Sequence, residues 1–254
     1  MVEKYFAIEF TPLITAADQH EGAYASGDIL WSLTSQNKIH VPSGPARLVG
    51  ATAIVKSKGD ANPTPNNFAF DLVFSTEVRE DDDGNTVHSS QVTGGPNNDI
   101  VGSMSILATD YIGVAATQSI TVATASTTNV VLNRGTQPCT VVADRLPGYD
   151  TYYVGGVADG AFNFSTIIRI NDDDIATVSP GTTLVTDGTS MDIREHFVVG
   201  DILHAHDNAV IGTVASITNS TTLETESAIA TGVLTADDYV YTINPIKIKL
   251  FFEK

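Results

Sequence analysis

Short blocks in which apolar and polar side chains alternate constrain this chain more than any other feature. In Phe68-Ala-Phe-Asp-Leu-Val-Phe74, positions 68, 70, 72 and 74 share one face of an extended strand, whereas a helix would scatter them. Blocks of this kind, or continuous β-branched runs, recur between clusters of Gly, Pro, Asn and Asp. They predict strands at Lys4–Phe10, Asp28–Leu33, Arg47–Lys56, Phe68–Phe74, Ile100–Leu107, Ser119–Ala123, Asn129–Leu132, Cys139–Ala143, Thr151–Val157 and Ala161–Ile170. A second series follows at Ile175–Val178, Thr183–Thr186, His196–His204, Val210–Ile217, Thr222–Glu226, Asp238–Ile243 and Ile246–Phe252. Asp83-Gly84 and Asp187-Gly188 are turn dipeptides of the kind that close hairpins, because glycine tolerates positive φ. No stretch of a dozen residues carries a helical period, and dense Thr, Val and Ile lose rotamer freedom in a helix. Only Thr15–Gln19 and Ala228–Thr235 remain as short helical segments.

These strands predict an all-β chain: an antiparallel β-sandwich of jelly-roll type over residues 1–172 and a second, small β-barrel or sandwich over 173–254. The boundary is placed at the charged run Asn171-Asp-Asp-Asp174. The final strand, 246–252, alternates Ile246, Ile248 and Leu250 with Lys247 and Lys249, a pattern that blunts sheet edges. It is a candidate to return to the first domain and pair with Lys4–Phe10, since chain termini often lie close together.

With 254 residues, each part can bury a core without staples. The charged fraction of 17% is below the roughly 25% usual for soluble domains, and Thr, Ser, Asn and Gly fill the difference. A formal net charge of −17 repels phosphate backbones and anionic membrane surfaces, so neither nucleic acid nor membrane is an expected partner. The single cysteine, Cys139, excludes an intrachain disulfide and fits folding in a reducing cytoplasm. The first ten residues lack the apolar core of a signal peptide, and no apolar run reaches the length of a membrane helix.

Several clusters invite a chemical reading. His204-Ala-His206-Asp207 could present two imidazoles on one strand face to a zinc ion. Against this, the pattern departs from His-x-His-x-Asp-His: Asp207 comes one position early and Ala209 stands where the last histidine belongs. Further ligands would have to come from His20, His40, His88 or His196. The expectation is therefore a hairpin with its turn at Asp207-Asn208. Glu80-Asp-Asp-Asp-Gly-Asn85 resembles half of a calcium loop but lacks the downstream bidentate glutamate, so it reads as a solvated hairpin tip, as does Asn171–Asp174. Trp31 could stack on a sugar or base, but a lone aromatic in an alternating strand is more often core or subunit interface than a ligand site. Asp144-Arg-Leu-Pro-Gly-Tyr-Asp150 with Tyr152 and Tyr153 would suit a protein contact. No nucleophile elbow, Walker loop, dinucleotide fingerprint or zincin motif is present, so no catalytic, cofactor or metal residue is assigned.

The order of Tyr24-Ala-Ser-Gly-Asp28, Phe68-Ala-Phe-Asp-Leu-Val-Phe74, the acidic loop and Asn98-Asp-Ile-Val-Gly-Ser-Met-Ser-Ile106 with Asp110-Tyr111 resembles β-sandwich structural proteins of tailed bacteriophages. The segment from Val199-Gly-Asp-Ile-Leu203 through Ile211–Ile217 and Thr222 to Tyr239-Val-Tyr-Thr-Ile243 is similar to a small β module appended to phage virion proteins. The resemblance implies a virion component without enzymatic activity: a homo-oligomeric decoration protein on the capsid surface, assembled in the host cytoplasm, whose partners are the major capsid protein and its own copies. Two other readings stand beside it. A tail or receptor-binding protein would carry an exposed aromatic pocket around Trp31 or Tyr149–Tyr153, and a polysaccharide hydrolase would need two carboxylates at catalytic separation.

Overall fold

A computed structural model of the chain describes residues 4–20, 24–56, 67–78, 100–113, 120–125, 130–133, 139, 141–161, 164, 168–169, 181–186, 192–234 and 238–254. In chain order the elements are β1 (Tyr5–Phe10), α1 (Ala16–His20), β2 (Ile29–Trp31), β3 (Lys38–Pro42), β4 (Ala46–Lys56), β5 (Phe70–Ser75), β6 (Ile100–Ile106), β7 (Tyr111–Gly113), β8 (Ile120–Ala125) and β9 (Val131–Leu132). They continue with β10 (Tyr149–Ala158), β11 (Ile168–Arg169), β12 (Thr183–Val185), α2 (Ile193–His196), β13 (Ile202–Ala205), β14 (Val210–Ile217), β15 (Thr222–Thr225), β16 (Tyr239–Tyr241) and β17 (Ile246–Glu253). The protein is all-β and its sheets are antiparallel, in keeping with a β-sandwich.

Two sheets face each other across the main core. The first runs β1-β17-β4-β8-β7, with β9 pairing the start of β4; the second runs β2-β10-β5-β6, with β3 also pairing β10. Leu48, Ala51, Ala53 and Val55 from β4 meet Phe70, Leu72 and Phe74 from β5, Tyr152 and Val154 from β10, and Met104 and Ile106 from β6 in one buried cluster. On β5 the alternation expected from the sequence sets the faces: residues 70, 72 and 74 are buried and Asp71 and Val73 turn away.

A third sheet, β11-β16-β13-β14-β15-β12, has its own core of Leu184, Ile193, Phe197, Leu203, Val214, Leu223 and neighbours. Two connections tie it to residues from earlier in the chain. Strand β11, from the segment expected to close the first domain, pairs with β16. Ala16 of α1 belongs to the third sheet's core, and Gln19 Nε2 donates to the carbonyls of Ile14 and Thr242. The acidic run 171–174 expected at the boundary lies outside the described residues.

The terminal strand is central, not an edge. Strand β17 pairs with β1 from Phe10↔Ile248 to Tyr5↔Glu253 and with β4 from Ile246↔Val55 to Glu253↔Arg47. Ile246, Ile248, Leu250 and Phe252 are fully buried while Lys247 and Lys249 point outward. The lysines mark the wet outer face of a one-sided sheet; alternation reports faces and carries no information about neighbours along the hydrogen-bonding direction.

Other departures are local. Residues 228–235 form no helix among those described; Ile229 and Leu234 instead plug the third sheet's core from turns. The strand expected at His196–His204 starts only at Ile202: His196 ends a helical turn, Ile193–His196, capped by Asp192 accepting the Arg194 N–H at 3.0 Å, and a turn follows in which the Asp201 N–H donates to Val198 O at 3.1 Å. Residues 142–144 form a 3-10 turn in place of the expected strand, whereas β3 and β7 had no predicted counterpart.

Trp31 is buried, with Nε1 donating to the Val154 carbonyl at 3.1 Å, and its ring lies against the backbone of Gly156. A Cβ built there would fall 2.5 Å from ring atoms, so only glycine lets the indole seat on β10. Gly156→Ala is expected to cost about 1–3 kcal/mol through overpacking, read as a lowered urea midpoint at unchanged slope.

Candidate functional site

The histidine pair sits on the predicted hairpin. Strand β13 ends at Ala205, whose N–H donates to Ala209 O at 2.9 Å, and the Asn208 N–H returns to Ala205 O at 3.0 Å. Asn208 takes φ 72°, a left-handed conformation that its short amide tolerates. Asp207 accepts the Ala209 N–H on a carboxylate oxygen at 2.9 Å and so closes its own turn. The two imidazoles find different partners. His204 Nδ1 lies 3.1 Å from the Asn208 carbonyl, and His206 Nδ1 lies 2.7 Å from Asp238 Oδ1.

A third histidine joins them from the other end of the chain. The His20 ring stands 5.1 Å from that of His206, and its Nδ1 is 2.7 Å from the Tyr241 hydroxyl. Partial burial, then the neighbouring His206, hold the His20 imidazole below its ordinary value, with Asp238 opposing. Nothing local in the sequence signals this meeting, since His20 and Tyr241 are 221 positions apart. Among the described residues no three His, Cys, Asp or Glu side chains are grouped to hold a metal ion. His196 lies on α2, buried, and His40 lies on β3 against Thr151. His88 and the acidic turns 80–85 and 171–174 are outside the described residues.

The loop before β10 is organised by one carboxylate. Asp144 is 4% exposed; its Oδ2 accepts from Ser35 Oγ at 2.6 Å and Tyr153 OH at 3.0 Å, and its Oδ1 pairs with Lys38 Nζ. Its backbone carbonyl accepts from Thr151 Oγ1 at 2.8 Å, and Arg145 Nε donates to Cys139 O at 2.7 Å. Burial disfavours the Asp144 anion, but the hydrogen bonds from Lys38, Ser35 and Tyr153 outweigh it and hold the carboxyl below its usual range. Burial, then the bonds to Cys139 and Asp144, raise the Tyr153 phenol. With its oxygens occupied by donors, Asp144 serves as an anchor and is poorly placed to act as a general base. Tyr152 and Tyr153, expected at a protein contact, are both in the interior; Tyr149, Leu146 and Val142 are the exposed apolar residues of this region.

The outer surface is more distinctive than any cleft. Ile112 on β7 is 72% exposed and Ile54 on β4 39% exposed, and register places both opposite Val122 of β8. This row continues to Lys247 on β17. Beside it lies a cavity of about 420 Å³ between the first and third sheets, lined by Ile54, Lys56, Asp201, Ile202, Thr242 and Asn244 among others. On or beside strands of the third sheet, Ile202, Val198, Val199 and Val210 are exposed as well.

Comparison with known proteins places the chain in no group: no family model matches it and no curated protein matches it.

Two outcomes follow from the site geometry. Asp144→Ala should cost about 2–4 kcal/mol by stranding Lys38, Ser35 and Tyr153. Because the Asp144 carboxyl is depressed in the fold, its contribution is complete above the ordinary Asp value and is lost as pH falls through the folded one. The difference between wild type and variant in denaturant melts should therefore shrink on acidification below about pH 4. Elemental analysis of protein purified without chelator should find zinc well below stoichiometric, and stoichiometric zinc lost on replacing His204 and His206 would restore the metal reading.

Proposed function

We propose that this protein is a structural component of a tailed-phage virion, a decoration protein that docks on the assembled head and cements it. Its partners in this reading are the major capsid protein and further copies of itself, at the capsid surface; nucleic acid and membranes are not among them. The observation that carries the proposal is the set of exposed aliphatic side chains, Ile112 and Ile54 on the first sheet and Ile202, Val198, Val199 and Val210 on or beside strands of the third. The chain carries a net charge of −17 and still leaves these aliphatic side chains in solvent, and exposed apolar residues of this kind suit a surface that is buried against another protein. Burying an aliphatic side chain contributes up to about 1.5–3 kcal/mol. Repetition over a symmetric lattice multiplies such contacts, and a protein that binds only the assembled shell stabilises it by mass action.

The alternatives draw less support. The receptor-binding reading leaned on Trp31 and Tyr149–Tyr153, of which Trp31, Tyr152 and Tyr153 are core residues. The hydrolase reading needs a pair of available carboxylates, and Asp144, the deeply buried one beside the aromatic loop, is saturated with donors.

Purified protein should bind expanded, DNA-filled heads at fixed stoichiometry, and Ile54→Asp with Ile112→Asp should weaken binding at least tenfold, about 1.4 kcal/mol, without changing the melting transition. Electron micrographs showing labelled protein only at the tail tip would replace decoration by the receptor reading.

A further inference from the structure

Lys56 ends β4, and its side chain crosses from the sandwich to the third sheet. Its ammonium donates to Thr242 Oγ1 at 3.0 Å and to the backbone carbonyl of His196 at 3.3 Å, with Asp201 Oδ2 at 3.9 Å. His196 itself is almost completely buried at the end of α2, edge-on to Phe197. Its Nε2 is withdrawn from water and has no hydrogen-bond partner among the described residues.

A neutral imidazole can sit in such a place at the cost of one unused nitrogen. An imidazolium cannot, because it would bring a charge and a donor without an acceptor into an apolar setting beside a lysine. We infer that the junction between the sandwich and the third sheet is a proton-sensitive hinge, opened when His196 takes up a proton and the α2 segment lifts away from Lys56.

The charges around the ring favour this outcome. From β4 it faces Lys56; from the turn before β13 comes Asp201, already paired with Lys56; Thr242, the other group on Lys56, is neutral. On α2 itself, Arg194 is exposed and bound to Asp192. Lys247, across the cavity, is paired with Glu9 at 2.9 Å. Asp201, Asp192 and Glu9 are thus each already paired with a cation. Burial chiefly, and Lys56 next, push His196 from 6.5 down to about 3. A depressed histidine stabilises the closed junction fully above its ordinary value and progressively less as pH falls from about 6.5 toward about 3. The junction is also hollowed by the 420 Å³ cavity rather than sealed by apolar packing, so separation there breaks few contacts.

Hydrogen exchange of the full-length protein, followed by mass spectrometry and corrected for intrinsic rates, tests the hinge. Peptides covering residues 192–205 should exchange on the order of 100-fold faster at pH 4.5 than at pH 7.5, at about tenfold per unit below the ordinary histidine value. Strands β5 and β10 should keep their protection over the same range. His196→Gln should flatten the response of 192–205 to less than about threefold. If that variant fails to fold, the wild-type imidazole resonances serve instead, and His196 should stay in the neutral form down to pH 4.5. The inference is overturned by a His196 signal that titrates near its ordinary value, by a pH response that persists in His196→Gln, or by parallel loss of protection in β5 and β10.

Discussion

The insertion of β17 between β1 and β4 is the constraint on which the rest of the structure depends. Four side chains, Ile246, Ile248, Leu250 and Phe252, are fully buried on one face of this strand, and its backbone is paired along both edges. Without it, β1 would have no neighbour in the described sheet and β4 would present an open edge across the sandwich core. Ion pairs follow the backbone: Glu253 meets both Lys4 and Arg47, and the Lys254 N–H donates to the Lys4 carbonyl at 2.8 Å. Such exposed pairs add little energy. The pairing itself is decisive, because it joins residues more than 190 positions apart and so closes the sandwich across most of the length of the chain.

That closure also fixes the third sheet. Chain leaving the sandwich after residue 164 returns to it at Pro245, whose carbonyl accepts the Lys56 N–H at 2.9 Å. The Lys56 side chain reaches across the same joint to His196 and Thr242. The N-terminal segment is held at a second point, by the Ala17 N–H on Asn208 Oδ1 at 3.0 Å and by Gln19 on Thr242. Polar bonds to single residues, with a cavity between them, make this joint softer than either core. The Asp144 network is its opposite: several donors on one buried carboxylate, fastening an otherwise irregular loop onto β3 and β10.

Much of the local structure was legible in the sequence. Where one face of a strand is dry and the other wet, the period of two is unambiguous, and Phe70–Phe74, Val210–Ile217 and Ile246–Phe252 fall on strands close to their expected limits. The Asp207-Asn208 turn was legible for the same kind of reason, because few residues accept the backbone angle it requires. What was misread lay where local and tertiary preferences compete. A strand was expected from His196, but that residue ends the helical turn capped by Asp192, and the helix expected at 228–235 is replaced, over the described residues to 234, by irregular chain that buries Ile229 and Leu234.

The sequence by itself determined most of the strands and which of their faces are buried, because alternation is a property of neighbours one or two positions apart, and it determined that the chain is strongly acidic. Tertiary structure alone decided that the lysine-bearing last strand lies inside a sheet, that Tyr152 and Tyr153 are core rather than contact surface, that His206 faces His20 and Asp238, and that His196 is buried beside Lys56. Each of these depends on which distant strand supplies the facing backbone, and alternation along one strand is the same whichever partner pairs with it.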